Sequence, residues 1–416
     1  MKICLLFTTF PVATETFLQR EVRGLRRLGV ELELYSLWGG AAEFEGLRVR
    51  RFPLWQLLGL FWWLPYWMAR RPAVLRATAE RLFGHGIPDL LNFAENLLGM
   101  GFALIHGRRL ERDAEAQLHA VWATTPGAAA WLVHRLTGKP FSMAAHAYDL
   151  FAHGGDGLLA DKCAEADWVR SSTQAGIERL RALGCAEGKL VHIGRGLERL
   201  PALKGIRRQR EPLRILSVGR LVDKMGYTEQ LNMYAAARRA GLEFEVRIIG
   251  AGNRGEALRQ QARRLGLDDC LQFLGAQSYA AVEAALDWAD VFVFSGRVSR
   301  NGDRAGFPNA LAEAMAWGVP VLSSSVGGVT EVIQHGRNGL LIESANPVDS
   351  LFRLQIDTEL CQRLTRQARK WIETCYSIDQ TVNFLIGQMQ KKTETRKNIA
   401  QRLRLARVSP SSECQL

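Results

Sequence analysis

The stretch Asp303-Arg304-Ala305-Gly306-Phe307-Pro308-Asn309-Ala310-Leu311-Ala312-Glu313-Ala314-Met315-Ala316-Trp317-Gly318 decides the reading of this chain. The apolar run Val291-Phe292-Val293-Phe294-Ser295 precedes it and a second run, Val319 to Ser323, follows, so the order is strand, loop, helix, strand. Pro308 suits a first helical turn, because its φ is already helical and it has no N–H to leave unpaired; Gly318 suits the stop. A helix that begins above a sheet edge points free amides and a partial positive charge at whatever sits there, and a diphosphate is a good match. Glu313, one turn further on, is a carboxylate able to accept from sugar hydroxyls. Taken alone, a strand, a loop and a capped helix are also ordinary α/β scaffolding.

The same alternation runs outward in both directions. Lys2-Ile3-Cys4-Leu5-Leu6-Phe7 is continuously apolar after its first residue, as a buried parallel strand requires. An amphipathic helix with Phe17, Leu18, Val22, Leu25 and Leu28 follows and stops at Gly29, and Val30 to Leu37 returns as a strand. A β-α-β unit of this kind makes a doubly wound sheet the default. Val121-Trp122-Ala123-Thr124, Phe141 to Ala145 and Trp168 to Ser172 read as further strand ends. Between Arg199 and Leu213 the chain turns cationic (Lys204, Arg207, Arg208, Arg210), which reads as an exposed connector. A second set of strands then runs over Arg214–Val218, Phe244–Ile249, Leu271–Leu274, Val291–Phe294 and Val319–Ser323. The fold class is therefore α/β, with a Rossmann-like domain over 1–200, a second over 201–385 and a basic tail over 386–416. Ligands of such domains bind where the carboxyl ends of the strands meet.

The chain has 416 residues, long enough for two cores, and 47% of them are hydrophobic, which argues against disorder. Seven cysteines lie scattered without a Cys-x-x-Cys pair, so neither a zinc site nor a disulfide framework is suggested, and a reducing cytoplasm fits. The first strand begins at residue 2 with no basic, apolar and small-residue sequence before it, so no cleavable signal peptide is expected. A net charge of +12 asks for an acidic partner, whether phosphorylated substrate, anionic lipid or nucleic acid. No basic stripe interleaved with stacking aromatics marks a nucleic-acid module, so nucleic acid is set aside.

The wording Gly306-Phe307-Pro308-Asn309, Glu313-Ala314-Met315-Ala316, Gly318 and Pro320-Val321 resembles the nucleotide-sugar signature of the retaining family 4 glycosyltransferases. The resemblance continues through Gly327-Gly328, Thr330-Glu331-Val332-Ile333 and Gly336 to Leu341, which look like that family's glycine turn, following helix and closing hairpin. It covers the chain from the first strand to about residue 385 and implies the GT-B architecture, two Rossmann-like domains facing across a cleft. It also implies a nucleoside diphosphate sugar as co-substrate and a glycan or polyprenyl-linked acceptor. The loop Phe10 to Phe17 resembles the Ser-Glu-Thr-Phe phrase of exopolysaccharide and colanic-acid-type transferases.

Glycosyl transfer must stabilise a departing diphosphate, with a metal or with cationic groups and helix dipoles. The sequence has no Asp-x-Asp and no His/Cys cluster at ligand spacing, so no metal and no cofactor is expected. Arg220, after the strand ending at Val218, stands where the resemblance puts a phosphate-binding arginine. The matching lysine is displaced: Lys224 lies one position early and Met225 occupies the usual place. Gly306, Phe307, Pro308 and Asn309 would form the phosphate-binding segment through the backbone amides it exposes, Glu313 would bind the ribose, and Gly250 and Gly252 would let backbone approach the nucleotide. His146, within Ala145-His146-Ala147-Tyr148-Asp149-Leu150-Phe151, looks like the family histidine beside the transferred sugar. Thr14 and Thr16 either cap the first helix or also bind sugar or phosphate. Ala305 stands where the family commonly has an acid, with Asp303 two residues earlier. Ala305 and Met225 keep open a second reading, a partner protein that binds nucleotide sugar with weakened catalysis.

Residues 52–71 break the rhythm. Four tryptophans within them suit a membrane interface, with Arg70 and Arg71 for lipid phosphates, while Pro53, Pro65 and Gln56 argue against a bilayer span. The alternative is a helix buried in the first domain. The basic run from Lys391 to Arg407 either shares that surface or is a solvated helix.

Overall fold

Strand β12, Val291–Phe294, is buried along its whole length, and its side chains alternate between two cores. Phe292 and Phe294 join one apolar cluster with Leu311, Met315 and Val321; Val291 and Val293 join another with Leu231, Tyr234 and Leu351. A strand buried on both faces must be apolar at every position, which is why this part of the sequence shows no polar alternation.

The computed structural model describes residues 1–84, 89–202 and 211–408, with side chains through 396 except at 393. The cationic connector residues Lys204, Arg207, Arg208 and Arg210 lie outside the described residues. One sheet contains β1 (Lys2–Phe7), β2 (Glu31–Ser36), β3 (Glu43–Phe44), β4 (Leu47–Arg51), β5 (Ala116–Ala120), β6 (Phe141–Ala144), β7 (Val169–Ser171) and β8 (Leu190–His192), in the order β3-β4-β2-β1-β5-β6-β7-β8. The other contains β9 (Leu213–Val218), β10 (Phe244–Ile249), β11 (Leu271–Gly275), β12, β13 (Val321–Ser323) and β14 (Leu340–Leu341), in the order β11-β10-β9-β12-β13-β14. Apart from the β3–β4 pair the neighbours are parallel. Strand order reverses between β1 and β5 in the first sheet and between β9 and β12 in the second. A doubly wound sheet binds its ligand above such a reversal, beyond the carboxyl ends of the strands.

The two-domain α/β reading holds, with local corrections. Val121 to Thr124 follow β5 and form the turn into the helix Thr125–Thr137. Gly327–Val329 form a 3₁₀ turn, and Thr330 to Ile333, where the resemblance implies a helix, are not helical. The proposed boundary at 385/386 falls inside one helix, Ile378–Val408. That helix crosses back to the first domain because Ile378, Val382, Leu385 and Met389 form an apolar stripe, which enters a core with Ile3, Phe17 and Val22. Backbone bonds from Leu197 N to Tyr376 O (2.9 Å) and from Ile378 N to Leu197 O (3.1 Å) fix the crossing. The basic tail is therefore the continuation of a docked helix.

Residues 52–71 form a 3₁₀ segment, Leu54–Gly59, and a helix, Leu60–Arg70. One face of it is buried in the first domain, as the second reading expects, and the other is exposed. Trp67 is buried and donates its indole N–H to the Leu104 carbonyl at 2.8 Å, and Trp63 and Tyr66 pack partly against the same core. Trp55, Leu58, Phe61, Trp62 and Met68 face outward. Among the described residues no helix is long and apolar enough to cross a membrane.

Candidate functional site

The reversal between β9 and β12 brings two loops together. After β9 the chain passes Gly219 and Arg220; after β12 it passes Ser295 and Asp303 and reaches the helix Asn309–Ala316. Gly250 and Gly252 set the first loop. Gly250 has φ +146°, and a Cβ there would lie 1.9 Å from the Gly219 carbonyl oxygen; one on Gly252 would lie 2.4 Å from that of Leu221. The backbone that these glycines admit is therefore the Arg220 loop itself, held by Leu221 N to Ala251 O (3.0 Å) and Arg254 N to Leu221 O (2.9 Å). The Arg220 side chain is exposed and has neither an ion pair nor a hydrogen bond among the described residues. Unpaired cations at a sheet reversal are what an incoming anion needs.

Lys224 and Asp303, each displaced in sequence from the position the resemblance implies, are bonded to each other, Nζ to Oδ2 at 2.7 Å, with both side chains mostly buried. Burial pushes the Lys224 ammonium below its usual range, against the opposing pull of Asp303. Met225 packs its side chain beneath Gly219 and into the second domain's cores. Ala305 is buried in a core as well.

The helix Asn309–Ala316 begins one residue later than expected, with Pro308 extended at its N-cap. The first amides with a backbone acceptor are those of Leu311 and Ala312, both to Pro308 O, which leaves the amides of Asn309 and Ala310 at the open end. The turn at Gly327 (φ +61°) presses on this segment, since a Cβ there would meet the Ala305 carbonyl oxygen at 1.8 Å. The Phe307 ring turns away into the core, edge-on to Trp371 and Tyr376. Its amide nitrogen lies close to Gly328, where a Cβ would approach it to 3.0 Å. Glu313 is buried and forms an ion pair with Arg20, a residue of the first domain's helix Thr16–Arg27.

On the opposite wall, Glu15 is the N-cap residue of the helix Thr16–Arg27, and no side-chain bond from Thr14 or Thr16 caps it. Burial raises the Glu15 carboxyl above its usual range, while Arg220 and Arg195 pull it down, so these three groups share one electrostatic neighbourhood across the cleft. The His146 ring is buried edge-on between Phe17 and Trp122 (centroids 5.5 and 4.7 Å), and neither ring nitrogen has a hydrogen-bond partner among the described residues. Its backbone N–H donates to Asp149 Oδ2 at 2.8 Å, starting the helix Ala147–Phe151. Burial, and then the nearby Arg195 and Arg170, hold the imidazole well below its ordinary range, so it is neutral. The ring and Arg195 line a pocket of about 10 Å³, the scale of one water molecule.

The two walls touch. Glu331 accepts from the amides of Gln174 (2.7 Å) and Ala175 (3.2 Å) at the start of the helix Gln174–Ala182, His153 N donates to Asn301 O (2.7 Å), and the Arg304 guanidinium lies 3.9 Å from the Phe151 ring centre. The structure thus gathers Arg220, Lys224, the Gly306–Asn309 segment and Glu313 on one wall and His146, Thr14 and Thr16 on the other. Arg20, Glu15 and Arg195 were missed as site residues. Arg20 lies off the apolar stripe of Phe17, Leu18, Val22 and Leu25, so helical spacing gives no signal of its burial. Arg195 follows β8 with no motif around it.

Residues 203–371 match the family model described as glycosyl transferases group 1. WcaL of Escherichia coli K12, whose name places it in colanic acid biosynthesis, is 30% identical over 200 residues, 47% of this chain and 49% of that protein. The amylovoran biosynthesis glycosyltransferase AmsK of Erwinia amylovora is 35% identical over 166 residues, 39% of this chain and 40% of its own. The chain thus spans about half or less of the length of these relatives. Among solved structures, Anabaena HepE in complex with UDP and glucose superposes with a TM-score of 0.66 at 16% identity, covering 94% of this chain and all of that one. A glycosyltransferase from Rickettsia africae superposes with a TM-score of 0.67 at 14% identity, covering 96% and 98%. At those identities the likeness speaks for the fold, which is GT-B. The sequence similarity to the group 1 glycosyltransferases is thus carried by residues 203–371.

Proposed function

We propose that the protein is a retaining glycosyltransferase that moves a sugar from a nucleoside diphosphate donor to a lipid-linked or polysaccharide acceptor in cell-surface polysaccharide synthesis. The observation that carries this reading is Arg220: an exposed guanidinium without an acidic partner among the described residues, at the strand-order reversal that leads to the open end of the Asn309 helix. A leaving diphosphate there would receive charge-assisted bonds from Arg220 and from the Asn309 and Ala310 amides. Lys224 would add a third contact on exchanging Asp303 for phosphate. The stabilising charge is then guanidinium, ammonium and peptide dipole, with no metal required. Glu313 accepts from the ribose. Attack by the acceptor hydroxyl on the same face as the departing phosphate retains configuration, and the phosphate oxygen takes the hydroxyl proton, so no protein nucleophile is assigned. The neutral His146 ring and its flanking aromatics form the wall against the transferred sugar, and Thr14, exposed beside them, faces the acceptor side with Thr16.

Support comes from the names of the relatives in exopolysaccharide synthesis and from the nucleotide-bound state of HepE. The outward face of residues 55–68 would dock the protein on the anionic inner surface of the cytoplasmic membrane, where a polyprenyl-linked acceptor resides. The test is incubation of purified protein with a panel of nucleotide sugars while free nucleoside diphosphate is followed. One donor should be turned over, slowly by hydrolysis and faster with acceptor. Binding without any turnover would favour the second reading, a catalytically weakened nucleotide-sugar-binding partner, which Ala305 and Met225 motivate.

A further inference from the structure

Arg20 belongs to the first domain, yet its guanidinium lies in the second. Nη2 donates to Glu313 Oε1, and the two side chains are only 5% and 7% exposed. Nη1 is buried and has no acceptor among the described residues. The Tyr279 ring centre stands 5.8 Å from the guanidinium carbon, and that ring is itself open to solvent. A buried guanidinium N–H without an acceptor is costly, and such groups are rare unless something else fills the place. Here the vacant donor sits beside the carboxylate assigned to the ribose.

We propose that Arg20 is a donor-positioning residue: Nη2 holds the Glu313 carboxylate in place, and Nη1 donates to an oxygen of the nucleotide ribose. The inference rests on the reading of Glu313 as the ribose acceptor. Its physical content is that the ribose subsite is assembled from both domains, so nucleotide binding requires their apposition. Arg20 also sets the charge of Glu313. Burial pushes that carboxyl up, and Arg20 pulls it down; Glu283 raises it slightly, and Tyr279 and Tyr376 are the other titratable groups facing it. Without Arg20 the carboxyl would take up a proton at a higher pH and lose acceptor capacity.

The experiment is equilibrium titration of the full chain with UDP, with GDP and with inorganic pyrophosphate. Arg20→Gln should weaken whichever nucleoside diphosphate binds by roughly 10- to 100-fold, the worth of a charge-assisted hydrogen bond, and leave pyrophosphate affinity unchanged. Arg20→Lys, which keeps a cation beside Glu313 but has no second nitrogen at the Nη1 position, should fall between, and it serves as the reporting variant if Arg20→Gln fails to fold. In Arg20→Gln, which removes the cation, the rise of nucleotide Kd on acidification should set in at a higher pH than in the wild type, whereas Arg20→Lys should follow the wild-type pH profile. If Glu313→Gln weakens nucleotide binding but neither Arg20 variant does, the Arg20 assignment is overturned alone. If Glu313→Gln has no effect, the ribose reading itself fails. An equal loss for pyrophosphate would reduce Arg20 to a structural link between domains.

Discussion

Replacing Phe61 and Trp62 together with serine should release the protein from anionic vesicles without unfolding it. Both rings stand clear of the core, 78% and 80% exposed, on the helix whose Trp67 is 1% exposed. Aromatic side chains cover about 150–250 Å² each when fully buried, so roughly 300 Å² of these two rings remains available to a bilayer. At about 25 cal/mol per Å² complete burial would contribute about 8 kcal/mol. A helix lying in the interface sinks only its apolar face to the headgroup boundary, so about half of that, about 4 kcal/mol, is the expected loss. That corresponds to roughly a thousand-fold in partition. Folding stability should change by no more than about 0.5 kcal/mol, because neither ring packs on the core. Trp67→Ser is the control: it removes a packed ring and an indole hydrogen bond and should cost about 3–5 kcal/mol of stability. Co-sedimentation with vesicles containing phosphatidylglycerol, paired with a denaturant melt, measures both quantities. A double variant that melts like the wild type and still sediments with vesicles would refute the membrane face.

Two further outcomes are expected. Ala305→Glu combined with Met225→Lys should give no gain in transfer, since Asp303 and Lys224 already occupy that corner of the cleft and both native side chains pack in cores; a large gain, read as donor turnover, would establish the weakened-partner reading instead. Burial lifts the Asp149 carboxyl to about 7, only partly opposed by the His146 N–H bond. Its folded pKa lies above its unfolded one, so the native state binds the extra proton; the stability gained is full below about pH 4 and is lost as pH rises to about 7. Asp149→Asn should flatten the fall in denaturation midpoint over that window, leaving a smaller slope from Glu95, also raised to about 7 by burial. An unchanged slope would show that Asp149 does not titrate there.

Most of the fold was legible because parallel strands buried on both faces leave continuous apolar runs: Lys2 to Phe7, Phe244 to Ile249 and Val291 to Phe294 were read at their observed bounds or close to them. The local geometry of the candidate site on the second domain was legible for a related reason, since Pro308, Gly318 and the loops after strands carry their geometry in their residue types. Contacts between elements distant in sequence were not legible. Nothing local to Arg20 announces Glu313, 293 positions away. Nothing near Lys224 announces Asp303, although each looked displaced and each turned out to be the other's partner. The glycines at 250 and 252 were read as making room for nucleotide, whereas the backbone they admit is the loop carrying Arg220. The helix Leu60–Arg70 defeated a single label because one face is buried and the other exposed. Alternation in its tryptophans, Trp62 out and Trp67 in, follows helical spacing that composition alone does not weigh.

The central claim is that a diphosphate is held between Arg220 and the start of the Asn309 helix. Its most direct test is Arg220→Ala, assayed by release of nucleoside diphosphate from the donor identified in the panel. Because the native side chain has no bonded partner among the described residues, the account predicts an unchanged melting temperature. It also predicts a fall in kcat/KM of roughly 100- to 1000-fold, the cost of removing one charge-stabilising donor from the leaving group. Wild-type turnover by Arg220→Ala would contradict the account, as would a loss of activity that tracks only a loss of folded protein.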